Sequence, residues 1–126
     1  MSSLGASLVS IAPGVVEIAL PANPSNSQQH GFTHAGALAA VGDTAAGYAA
    51  LSLMPSGVGV LTVEFKINLL APAVGLVRAR GYVLKAGRTL TLAQTEIFSE
   101  ASTGPKLVAV LTATLMTIEG REGIAD

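Results

Sequence analysis

Cysteine and tryptophan are both missing from this chain of 126 residues, and charge is scarce. Without cysteine there is no disulfide framework and no thiolate to bind metal or carry redox chemistry, a composition that fits a cytoplasmic protein. Without tryptophan, and with only Phe32, Tyr48, Phe65, Tyr82 and Phe98 as aromatics, the core must be filled by Val, Leu, Ile and Ala. The few cations (Lys66, Arg78, Arg80, Lys85, Arg88, Lys106 and Arg121) are dispersed and form no basic block, which argues against nucleic acid as a partner. Met1–Ser10 has neither a basic start nor a long apolar centre, so it does not read as a signal peptide. The one run near membrane-spanning length, Gly36–Leu53, is rich in Ala and Gly and carries Asp43 and Ser52, and it reads as a buried helix rather than a membrane span. The length suits one domain, 1–126. With 50% apolar residues and only 12% charged ones to cover the surface, part of that surface is expected to be buried by self-association.

What is present falls into a simple order. Leu8–Leu20 holds two short β-type runs around a Pro13-Gly14 turn signal, and Pro21–Gln29 is a polar loop. Gly31–Thr33 leads into the apolar helix, which Pro55, Ser56 and Gly57 stop. In Val58–Leu70 the pattern alternates: Leu61, Val63, Phe65, Ile67 and Leu69 predict a core face, and Thr62, Glu64, Lys66 and Asn68 a polar one. Strands are expected at Leu76–Leu84, Thr89–Ser99 and Leu107–Ile118, with turns at Pro72–Gly75, Lys85–Arg88 and Thr103–Pro105, and a frayed tail over 119–126. A short hairpin, one helix apolar on every face and then four strands in antiparallel succession make an α+β chain whose sheet of five to six strands curls around that helix.

Asp43 is the only charge in the helix. A lone carboxylate among small apolar residues is costly unless hydrogen-bonded or paired, and such groups are candidates for perturbed acidity and catalysis. Taken alone, Asp43 reads equally as a residue bonding a neighbouring backbone group. His34 reads as a residue at the helix start that packs on substrate or loop, and His30 as a loop residue orienting that segment. Two His four residues apart lack the Glu of a His-Glu-x-x-His arrangement, so no metal is expected, nor any other cofactor.

The segment Gln28-Gln-His-Gly-Phe-Thr-His34-Ala-Gly36-Ala-Leu-Ala-Ala-Val-Gly-Asp43 resembles the active-site segment of PaaI-like hotdog-fold acyl-CoA thioesterases. There the pattern is commonly Asn-x-x-Gly-x-x-His-Gly-Gly, with an Asp seven residues past the second Gly. The likeness extends over nearly the whole chain. Gln28 stands where the family often has Asn, and Ala35 replaces the first Gly of His-Gly-Gly. The resemblance implies a hotdog fold, with Asp43 as base or nucleophile toward the thioester. It implies that the Ala35 N–H is the oxyanion donor, that Gln28 and His34 belong to the catalytic segment, and that Thr62 bonds the Asp or its water. Gly36 and His30 would line the substrate, and the hairpin residues Lys85, Gly87 and Arg88 would meet the phosphates of coenzyme A.

Ala35 and Asp43 lie eight residues apart, about 12 Å along one helix at about 1.5 Å per residue, too far to serve one carbonyl together. Two antiparallel helices across a two-fold axis remove the difficulty, so a homodimer is expected, with a dimer of dimers also consistent. Two other readings stay open: a hydratase or dehydratase on acyl thioesters, and a non-catalytic acyl-CoA-binding module, which the Gln28 and Ala35 departures favour.

Overall fold

The computed structural model describes residues 5–22, 32–101 and 103–119. Strands β1 (Ser7–Ala12) and β2 (Val15–Leu20) precede helix α1 (Ala35–Leu51), and β3 (Val58–Leu69), β4 (Val77–Ala86), β5 (Leu90–Ala101) and β6 (Gly104–Glu119) follow it. All belong to one six-stranded sheet of order β1-β2-β4-β5-β6-β3, antiparallel throughout. The Pro13-Gly14 turn forms as expected, with Gly14 at φ 79°, a left-handed conformation that glycine adopts without a Cβ clash. The sheet wraps α1, which packs on β2 to β6.

Burial of one sheet face supplies the core. Val16, Ile18 and Leu20 from β2, Val77 and Ala79 from β4, Ile97 from β5 and Leu111 and Leu115 from β6 are sealed against Leu38, Val41, Ala45 and Ala49 of the helix. Each large aliphatic side chain so buried is worth about 1.5–3 kcal/mol. The helix comes close because facing residues are small. A Cβ on Gly81 of β4 would lie 2.6 Å from the Ala45 carbonyl carbon and oxygen, so only glycine lets the helix backbone rest on that strand.

Four expectations are corrected here. First, β3 does not pair with β4: it returns to the edge beside β6, and the 70–76 connection crosses the sheet end, where Leu70 and Ala71 donate to the Val108 carbonyl and Glu100 donates to the Leu76 carbonyl. Second, the alternation read across Val58–Leu70 breaks at a β-bulge between Thr62 and Glu64. The extra residue, Val63, reverses the faces. Before it Val58, Val60 and Thr62 share the inward side with Leu115; after it Phe65, Ile67 and Leu69 share it with Ala113, Leu111 and Ala109. Leu61 and Val63 are therefore not core, and they remain 49% and 54% exposed. Third, the helix is not buried all round. Ala35 and Gly36 are exposed, and Ala39, Ala40, Asp43 and Thr44 are half-buried. Fourth, several turn residues are strand: Lys85 and Ala86 end β4, while Gly104 and Pro105 open β6, which runs to Glu119.

Candidate active site

The start of α1 is held by backbone. Thr33 is buried and its N–H donates to the Ala73 carbonyl at 3.0 Å, tying the chain to the 70–76 connection. His34 is the N-cap, extended at φ −60° and ψ 143°, and its side chain makes no capping hydrogen bond. Its carbonyl accepts from the Ala37 and Leu38 amides at 3.0 and 3.1 Å. That leaves the Ala35 and Gly36 amides without a backbone acceptor among the described residues. They sit at the positive end of the helix, beside a groove of about 630 Å³ lined by Phe32, His34, Ala35, Leu38, Leu70 and Pro72, among others.

Asp43 lies two turns further along. Its Oδ1 accepts a hydrogen bond from Thr62 Oγ1 at 2.9 Å, across the gap between α1 and the inward face of β3. The bulge at Val63 makes this contact possible, because Thr62 sits on the last inward-facing position before the faces reverse. Asp43 thus has one side-chain donor among the described residues and stays half-buried on the helix side left partly open.

The turn carrying Asp43 is anchored from the opposite side. Thr95 Oγ1, fully buried on β5, donates to the Gly42 carbonyl at 2.7 Å. At Gly42 a Cβ would sit 3.1 Å from Ile97 Cδ1 and 3.2 Å from Leu111 Cδ1, so the missing side chain is part of this fit. Thr95 and Gly42 were not among the candidates read from the sequence. The available signal was a hydroxyl at an inward position of β5, a face on which Thr91 and Ser99 are buried as well.

The remaining candidates divide. His34, Ala35 and Gly36 come together at the helix start, and Asp43 and Thr62 at its middle. Lys85, Gly87 and Arg88 lie at the other end of the helix. There the Gly87 N–H donates to the Leu90 carbonyl at 2.9 Å, and a Cβ on Gly87 would collide with that same oxygen. With 17 residues, α1 separates the two ends by about 25 Å at about 1.5 Å per residue. One chain therefore does not bring the hairpin cations to its own helix start. Gln28 and His30 lie outside the described residues. No described helix is long and apolar enough to cross a membrane.

A six-stranded antiparallel sheet around a single helix, with an acidic residue mid-helix and free amides at the helix start, defines a hotdog thioesterase architecture. The family model described as Thioesterase superfamily matches residues 30–106, and the chain belongs to that family. A solved thioesterase family protein from Silicibacter pomeroyi is similar at 45% identity, with a TM-score of 0.92, over 95% of this chain and 89% of that one. The phenylacetic acid degradation protein PaaI of Thermus thermophilus, solved as a mutant, is 26% identical with a TM-score of 0.80, over 92% of this chain and 96% of its own. A Halobacterium salinarum protein provisionally classed as an esterase is 30% identical over 118 residues, 87% of this chain and 78% of that protein. The chain is a PaaI-like hotdog thioesterase, a thioester hydrolase.

Proposed function

We propose that this protein hydrolyses acyl-CoA thioesters to a carboxylic acid and coenzyme A, in a homodimer whose two sites each draw on both protomers. The hydrogen bond from Thr62 to Asp43 carries the reading. It orients a carboxylate whose only other neighbours on the helix are small, and among the described residues no hydrogen bond engages the second carboxylate oxygen, which is then available to water or substrate.

Asp43 acts as base or as nucleophile. As base it takes a proton from water as the water oxygen attacks the thioester carbon. As nucleophile it forms a mixed anhydride that water then cleaves, and in both roles the tetrahedral adduct collapses by breaking the carbon–sulfur bond and expelling coenzyme A as its thiolate. In either case the carbonyl oxygen gains negative charge, and the Ala35 N–H at the partner's helix start receives it. The helix dipole adds to that stabilisation. Replacing Gly by Ala at position 35 keeps the donor, since only a Cβ is added. His34 and Gly36 shape the groove beside it, with Gln28 and His30 completing the segment. Lys85 and Arg88, around the tight turn at Gly87, meet coenzyme A phosphates.

The dimer follows from the separation between Asp43 and Ala35 and from the β3 edge. Val63, Phe65 and Leu69 are 54%, 45% and 54% exposed on a strand that among the described residues has no neighbour on its outer side. Antiparallel pairing of two β3 edges covers these residues and brings each helix start toward the other chain's Asp43. A dimer of such dimers is compatible with the same contact.

The test is release of free thiol from a panel of acyl-CoAs, with sedimentation to read the assembly. The expected result is turnover by a dimer and its loss in Asp43→Ala. No thiol release from any acyl-CoA, hydration of an enoyl-CoA instead, or full activity from a monomer overturns the reading. Single-turnover hydrolysis in ¹⁸O-water tests the nucleophilic role of Asp43, because label in its carboxylate arises only from an anhydride that water cleaves at the aspartyl carbon.

A further inference from the structure

A cavity of about 260 Å³ lies where the C-terminal end of α1 meets the start of β3 and the β4–β5 hairpin. Its lining is largely apolar, from Ala50, Leu53, Met54, Pro55 and Val58. Of its polar groups, the Thr117 hydroxyl is engaged with Met54 Sδ at 3.7 Å, and Arg88 and Glu119 are exposed at the rim.

Two independent measures relate this cavity to Asp43. Ala50 follows Asp43 by seven residues, nearly two full turns, so it sits on almost the same helix face about 10 Å further on at about 1.5 Å per residue. Val58 and Thr62 both project from the inward side of β3, four residues and about 13 Å apart at about 3.3 Å per residue. Between the two ends the helix offers Gly47, where even an added Cβ would meet nothing nearer than Leu115 Cδ2 at 3.8 Å. Half-buried Val60 forms the strand side.

We infer that this cavity receives the far end of an unbranched, uncharged acyl chain whose thioester carbonyl lies at Asp43, so that it selects substrates by chain length. The inference rests on the thioesterase reading and adds the class of acyl group to it. The pantetheine arm of coenzyme A is a poorer occupant, because beyond Thr91 and Arg88 the lining side chains offer its amides few polar partners. With the carbonyl carbon about 3 to 3.5 Å from Asp43, a chain must cover about 7 Å before it enters the cavity. At bonds of about 1.5 Å, which advance a zigzag chain by about 1.3 Å per carbon, that takes about five or six carbons. Since an apolar void of about 150 Å³ already holds benzene, the cavity has room for about four to six more.

The experiment measures kcat/KM for acyl-CoAs from acetyl to palmitoyl, for the wild type and for Met54→Trp, which fills the cavity. Calorimetric binding of decanoate and butyrate is run in parallel. The expected wild-type optimum is near ten to twelve carbons. Met54→Trp is expected to lose at least 10-fold on decanoyl-CoA while butyryl-CoA changes less than 2-fold, and Met54→Leu to keep the wild-type profile. Equal loss at all lengths, a flat wild-type profile, or a preference for butyryl-CoA overturns the inference. If the wild type releases no thiol from any acyl-CoA, the thioesterase reading fails by itself. Decanoate binding that Met54→Trp abolishes then still supports the cavity, and its absence refutes it.

Discussion

The two long sides of α1 are finished in different ways. Toward β4 and β5 the contact is complete within one chain: the Gly81 backbone lies against Ala45, Thr95 bonds the Gly42 carbonyl, and among the described residues no buried side-chain polar atom lacks a partner. Toward β3 the contact is thin. There Asp43 is half-buried, Thr62 is its one side-chain donor among the described residues, and the strand beyond exposes Val63, Phe65 and Leu69. The first side sets where the helix lies; the second is where the proposed chemistry falls. A carboxylate on the closed side would have been desolvated with no ligand to meet. On the open side it faces whatever the edge strand recruits.

Substitutions on opposite sides of the helix should therefore fail in opposite ways. Asp43→Ala, on the open side, is expected to lower kcat by about 10³-fold, about 4 kcal/mol of transition-state stabilisation, with a thermal midpoint equal to or above that of the wild type. Turnover and calorimetry on the same preparation check both halves. Gly81→Ala, on the closed side, forces a methyl into the Ala45 backbone and is expected to cost about 3 kcal/mol of stability. Chemical denaturation measures it, and an unchanged midpoint would mean that the helix does not rest on β4 as described.

Thr95→Val couples the two sides. It keeps the shape of the side chain and removes the hydroxyl that holds the Gly42 carbonyl, one residue before Asp43. The expected cost is about 1–2 kcal/mol in stability. A several-fold fall in kcat with little change in KM should accompany it, and Thr95→Ser should restore both. A variant that loses stability alone would make Thr95 part of the core and nothing more.

How much of this was legible in the sequence depends on how local each feature is. The β1–β2 hairpin, the helix and its stop at Pro55–Gly57 are written in neighbouring residues, and all three form close to their expected bounds. The bulge at Val63 is not, because it exists only in the register between β3 and β6, which lie 50 or more residues apart where they pair nearest the bulge. Period-two alternation consequently gave Leu61 to the core and Thr62 to the surface, and the structure reverses both. Asp43 stood out as the only charge in an apolar helix. Its bond to Thr62 came from family resemblance, while Thr95 and Gly81 carry a signal only once the strand faces are known. The resemblance supplied Gln28 and His30 as well, and they lie outside the described residues.

The outer face of the sheet supplies the smallest effect and a control for the rest. There Arg78 bridges Glu17 and Glu100 at 3.0 and 2.9 Å, and Tyr82 donates its hydroxyl to Gln94 Oε1 at 2.7 Å, with Gln94 in turn donating to Thr112. Partial burial, with a contribution from Glu96, pushes the Tyr82 phenol above its ordinary value of 10.0, while nearby Arg80 acts in the other direction. Because the folded state holds this proton more tightly than the unfolded chain, the resulting stability is complete below about pH 10 and is lost as pH rises through the folded value. Tyr82→Phe is expected to cost about 1 kcal/mol near neutral pH, from the lost hydrogen bond, and to flatten the stability profile above pH 10. Since neither residue touches the helix, turnover should be unchanged. A fall in kcat here would show that the outer face reaches the site, and the division between the two sides of α1 would no longer account for function.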